Sequence, residues 1–155
     1  MTPAHVAALI AVLGAAVVYG TDVFCALVLR PAFARIDDAA LTSVAGNVHR
    51  FGDRRMPVPG VVGLLGAAAA AVFAALGGRP LASALAAAAL VLLIVWLVLY
   101  VRISAPINRE FTAAADQNVM LPHARALQRR WDRIIVPRAT LQGAAVLALG
   151  LSLIS

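Results

Sequence analysis

The sequence predicts an all-α protein, a bundle of four transmembrane helices with two amphipathic arm helices on its cytoplasmic side. Three observations carry that prediction. Apolar residues make up 63% of the 155 and charged residues only 13%, with a mean hydropathy of +0.92, whereas soluble domains run near half apolar and a quarter charged. Four apolar runs each approach the roughly 20 residues needed to cross a hydrocarbon core. The basic residues are 13 arginines and no lysine against seven acids, and 12 of the 13 fall between the first and second runs or between the third and fourth. A chain this apolar collapses rather than staying solvated, which excludes disorder. Arginines set between long apolar runs mark a membrane protein with a basic face, and no nucleic acid is expected as a partner. The length suits a single integral membrane domain, and the lone Cys25 has no partner for an internal disulfide.

The first span covers residues 5–29 and is interrupted by one acid, Asp22. It lacks a basic leading region and a small-residue cleavage site, so it is expected to be a retained span and not a signal peptide. The first arm, residues 30–55, holds Arg30, Arg35, Arg50, Arg54 and Arg55. Within it Leu41, Val44, Val48 and Phe51 recur at spacings of three and four, and Asp38 suits a helix cap. The second span, residues 56–78, opens on Met56-Pro57-Val58-Pro59-Gly60, whose prolines fix an entry geometry. Its Gly60, Gly63 and Gly66 favour close helix approach. Gly77-Gly78-Arg79-Pro80 turns the chain directly into the third span, residues 81–101, where Trp96 and Tyr100 suit a headgroup boundary. The second arm covers residues 102–136. Pro122 suits a first helical turn, and Leu127, Trp131, Ile134 and Ile135 form a stripe opposed by Arg125, Arg129, Arg130 and Arg133. Pro137 is expected to kink or restart the helix before the short fourth span, residues 137–155, whose uncharged run starts after Arg138 at Ala139. Arginine-rich loops stay on the cytoplasmic face. The chain therefore reads as a multi-pass plasma-membrane protein with both termini outside and both arms inside, meeting anionic headgroups. The span–arm–span layout occurs twice, with little identity between the halves.

Few residues can carry chemistry. An acid within a span costs about 2.5–3.5 kcal/mol on insertion scales, so Asp22 should face protein or water. It can handle a proton, or it can pair with an arm arginine and lock the bundle. His49 and Asp53 lie four apart and share a face if the helix runs through Gly52. A carboxylate there would raise the basicity of the histidine. Asn108 and Arg109 follow Pro106 just past the third span. Trp131 offers a ring, and Arg138 an inward anion clamp or a snorkelling anchor. His5 and His123 stand alone and receive no role. No close His/Cys cluster marks a metal site, no glycine loop marks a nucleotide, and no nucleophile triad is present. No cofactor is predicted; a metal assembled across helices, a quinone and a homo-oligomer are left open.

The segment Gly20-Thr21-Asp22-Val23-Phe24 running to Arg30-Pro31, then Pro106-Ile107-Asn108, then Trp131 with Arg138 seven residues on, resembles the anthrone oxygenase-like family of small four-helix membrane proteins. The resemblance implies a membrane-embedded oxygenase or oxidoreductase for a lipophilic anthrone- or quinol-like compound, using molecular oxygen and no classical cofactor. That chemistry needs a base, a cation for the oxyanion and a flat apolar slot. It assigns His49 as base with Asp53 in support and Asp22 as a further catalytic acid. Asn108, Arg109, Trp131 and Arg138 become substrate-binding residues, with Tyr100 and Phe24 as further walls. Family members often carry His or Asn four residues after the tryptophan, where this chain has Ile135. Two other classes compete: a small proton-coupled transporter using Asp22, and a non-catalytic membrane partner subunit. The enzyme reading places the pocket at the cytoplasmic mouth of the bundle.

Overall fold

In the computed structural model, which describes residues 1–155, the chain is five helices and no strands: α1 Pro3–Phe33, α2 Asp38–Arg55, α3 Pro57–Leu76, α4 Pro80–Asp116 and α5 Ala124–Ile154. All but α2 are long and apolar enough to cross a membrane. Only 22–33% of the most apolar window of each is buried within the chain. The outward side chains, among them Leu13, Leu65, Val91 and Leu147, form the lipid-facing coat that a spanning bundle requires. The four long helices close into a ring in which α1 adjoins α3 and α5, and α4 adjoins the same two.

Local chemistry explains the boundaries. Thr2 caps α1 reciprocally with His5, and Pro3 takes the first turn, where its missing N–H costs nothing. Asp37, one residue earlier than expected, caps α2 by accepting from the Ala40 amide at 2.8 Å. Asp38 is thereby free to pair with Arg125 at 2.6 Å. Gly78 turns α3 into α4 with φ +67, a conformation that suits glycine. Both α1 and α4 contain one wide π turn, over Cys25–Leu29 and Tyr100–Ser104, and each is followed two residues later by a proline, Pro31 or Pro106. A proline ring clashes with the carbonyl four residues back. The wide turn absorbs that clash, so neither proline ends its helix.

That detail corrects the expected second arm. It is not a separate amphipathic helix, because α4 continues unbroken to Asp116 and α5 runs from Ala124 through Pro137 to Ile154. Pro122 sits in the connecting turn and Pro137 inside the helix, on an exposed face, with Ile135, Arg138 and Ala139 beside it buried against the bundle. The arm is thus the end of two spans, joined as a hairpin. In the first arm, α2 exists and runs through Gly52, but its buried face is Leu41, Thr42, Ala45, Gly46 and His49. Val44, Val48 and Phe51 stay 39–48% exposed. The reason is Gly46, whose missing side chain lets α2 seat directly on Phe111 and Ala115 of α4. Thr112 donates to the Gly46 carbonyl at 3.3 Å, and Arg50 pairs with Asp116.

At the end away from the arginines the bundle is packed with small residues. A Cβ on Gly14 would lie 2.6 Å from the Gly63 nitrogen, and one on Gly66 2.8 Å from the Ala11 nitrogen. The backbones of α1 and α3 therefore touch, with Ala7, Ala8, Ala15, Ala67 and Ala70 filling the seam. Gly60 is different: its nearest neighbour is the Trp96 ring. Near this glycine the alanine seam ends and a cavity begins.

Candidate functional site

The cavity has a volume of about 190 Å³ and lies between α1, α2, α3, α4 and α5 at the arginine-rich end. Six of the seven residues singled out in the sequence as catalytic or substrate-binding line it: Asp22, His49, Asp53, Asn108, Trp131 and Arg138. Arg109 does not; it is exposed on the outer side of α4. Phe24 also points away, 51% exposed, whereas Tyr100 forms a wall as expected.

Two polar clusters hold the cavity. In the deeper one, Asp22 is 3% exposed and is bound by donors from two other helices. Arg138 Nη2 donates to its Oδ1 at 2.8 Å and Trp96 Nε1 to its Oδ2 at 3.0 Å. Arg138 Nη1 donates to Ser104 Oγ at 2.7 Å. The guanidinium carbon lies 5.5 Å from the Tyr100 ring centre and 5.7 Å from that of Trp96, near enough for cation–π attraction. Trp96 is therefore not a headgroup anchor. It is 7% exposed and stacks on Tyr100 at 6.0 Å. The ion pair joins α1 to α5, and Trp96 adds α4.

In the second cluster Asp53 Oδ1 accepts from the Tyr100 hydroxyl at 2.8 Å and from Asn108 Nδ2 at 2.9 Å. Asn108 Oδ1 in turn accepts from Trp131 Nε1 at 3.1 Å. Asp53 therefore fixes α2 to α4, and through Asn108 to α5. It makes no hydrogen bond to His49, so the expected histidine–carboxylate dyad is not formed.

His49 is 8% exposed, makes no side-chain hydrogen bond, and packs at a tilt against Trp131 and Phe111, with ring centres 5.7 and 6.1 Å away. Burial pushes its pKa down to about 4; Arg138 pushes the same way and Asp53 opposes them. The imidazole is consequently neutral at pH 7, with a nitrogen lone pair available. A sign follows for stability. Between the ordinary value near 6.5 and about 4, the unfolded chain binds a proton at this site and the folded chain does not. Stability should fall as pH drops through that window, by an amount on the order of 3 kcal/mol. Unfolding of wild type and His49→Phe in micelles between pH 7 and 4 checks this. The wild type should lose the extra stability, and parallel curves would refute the assignment.

Outside the cavity, His5 bonds Thr2 and Arg79, and His123 pairs with Glu110 at 3.1 Å. No three His, Cys, Asp or Glu side chains converge as a metal-binding group. Ile135 is fully buried beside Trp131 and Cys25 and does not line the cavity. Trp96 and Ser104 are the contributors not anticipated in the sequence. Their signal was present, since Trp96, Tyr100, Ser104 and Asn108 recur every fourth residue along α4. The chain matches no family model, no curated protein and no solved structure.

Proposed function

We propose that the cavity binds a lipophilic anthrone- or quinol-like ring compound and promotes its oxidation by molecular oxygen. One observation carries this reading. A neutral, hydrogen-bond-free histidine and Arg138, the sole arginine lining the cavity, share one apolar chamber walled by Trp96, Tyr100 and Trp131. A chamber of this size holds a small ring system, and larger substituents would extend through its opening. His49 accepts a proton from the ring CH2 opposite the carbonyl, and Arg138 stabilises the oxyanion of the resulting conjugated enolate. The developing negative charge raises the basicity of His49 as the proton moves. The electron-rich carbanion adds to oxygen, the peroxide takes back the proton held by His49, and loss of water from the hydroperoxide, with the second C–H proton, leaves a new carbonyl. Carbon is oxidised, oxygen is reduced, and one oxygen atom leaves as water. Purified protein should accelerate oxygen uptake by an anthrone in micelles, and no acceleration would remove the reaction.

Asp22, tied to two donors, serves in this account to hold Arg138 and not to shuttle protons. That restraint argues against proton-coupled transport through Asp22. The arginine-rich end, with the cavity, faces the cytoplasm, as the distribution of arginines favours. In a Cys25→Ser background, Arg79→Cys and Arg130→Cys should be labelled by an impermeant reagent from opposite sides. Labelling from one side would overturn this orientation.

A further inference from the structure

We propose that the cavity is filled sideways from the bilayer, through a portal between α1 and α2, and that the outer edge of α2 lies among lipid acyl chains to form that portal's lip. This goes beyond the reaction above, because the entry route is the same whatever happens to the ligand.

The argument starts from how α2 is held. Its contacts run mainly onto α4: Gly46 against Phe111, the bond from Thr112, the Arg50–Asp116 pair, and Asp53 with Tyr100 and Asn108; Asp38 with Arg125 and His49 with Trp131 add α5. Toward α1 it is not packed shut. Thr21 and Val48 are both exposed and both line the cavity, so the chamber reaches the surface between them. Gly52 lies on the same rim, and a Cβ there would meet nothing within 4 Å. Glycine weakens a helix interior relative to alanine. Here it leaves the rim of the chamber open.

What lies outside the rim is apolar. On α2 the free edge is Val44, Val48 and Phe51; on α1 Phe24, Leu27 and Val28 are 48–71% exposed. Val48 on one side and Thr21 on the other line the opening itself, so these apolar faces are placed to flank it. Arg54 and Arg55 end α2, and the Arg55 guanidinium sits 5.2 Å above the Phe51 ring. An apolar edge finished by arginines is the pattern of a helix lying at the boundary of headgroups and acyl chains. The occupant of this surface is lipid, and a ligand dissolved in that lipid meets the rim without crossing water.

Cys25 lines the cavity and is the chain's one thiol, which makes it a probe for the route. The full chain in liposomes is treated with a membrane-partitioned pyrene maleimide, or with a sulfonated maleimide present on both sides. Rates are normalised to those of the chain unfolded in detergent. The pyrene reagent should modify Cys25 about tenfold faster or more, and Gly52→Trp should slow it by about tenfold. Gly52→Leu repeats the test with a smaller plug. Gly20→Trp, at an exposed position off the cavity, should leave the rate unchanged. Equal rates for the two reagents, no labelling of folded wild type, or no slowing in either Gly52 variant would overturn the portal. A failure of oxygen uptake with the labelling pattern intact would count against the oxidation alone.

Discussion

Replacing Asp22 by leucine should destabilise the bundle by about 3–5 kcal/mol, the usual cost of leaving one member of a buried ion pair unmatched. Arg138 is 6% exposed and its charge is answered by Asp22 at 2.8 Å. Without the carboxylate, a guanidinium would stand in an apolar bundle with Ser104 as its remaining partner, and Trp96 Nε1 would lose its acceptor. Asp22→Asn should fall between, since an amide oxygen still accepts one of the two bonds. The double variant Asp22→Leu/Arg138→Met should regain most of the loss, because matched apolar side chains remove both charges. It should also be inactive, which separates the stability role of the pair from its role in the site. Unfolding in detergent micelles measures all three, and wild-type stability in Asp22→Leu would contradict the ion-pair assignment.

His49→Ala should lower the rate of oxygen uptake by about 10²-fold or more, the usual contribution of a positioned general base. Alanine also opens space beside Trp131 and Phe111, so the change alone mixes packing with proton transfer. His49→Gln resolves this, because it keeps most of the volume while losing the basic nitrogen. Both variants should lose rate, with His49→Gln retaining substrate affinity. Arg138→Lys should be impaired as well, since one ammonium cannot copy a fork that bonds Asp22 and Ser104 together. Full activity in His49→Gln would assign the proton to another group.

The spans were legible because length and hydropathy suffice to find them, and the four long helices carry the four apolar runs. The second arm misled because Pro106 looks like a breaker and Leu127, Trp131 and Ile135 look like a separate amphipathic helix. A π turn before Pro106 makes α4 continuous, and periodicity does not distinguish an independent helix from the wet end of a long one. The same continuity misplaced Trp96. A ring near the end of a 21-residue run suits a headgroup, but α4 extends to Asp116, so Trp96 lies well inside the helix. Asp22 announced itself as an acid within a span. Its partner did not, because Arg138 lies 116 residues away and several arm arginines were equally eligible. Arg109 and Asn108 are adjacent, and only the rotation of α4 decides that Asn108 lines the cavity while Arg109 faces out.

The chain's two tryptophans, Trp96 and Trp131, both line the cavity, so tryptophan fluorescence, excited selectively, reports on this chamber and nowhere else. Titrating the protein in micelles with an anthrone tests directly whether the chamber is its binding site. The account predicts saturable quenching of both tryptophans, reached more slowly in Gly52→Leu, whose side chain would narrow the rim. Quenching that rises linearly without saturation, and is the same in the unfolded chain, would contradict it.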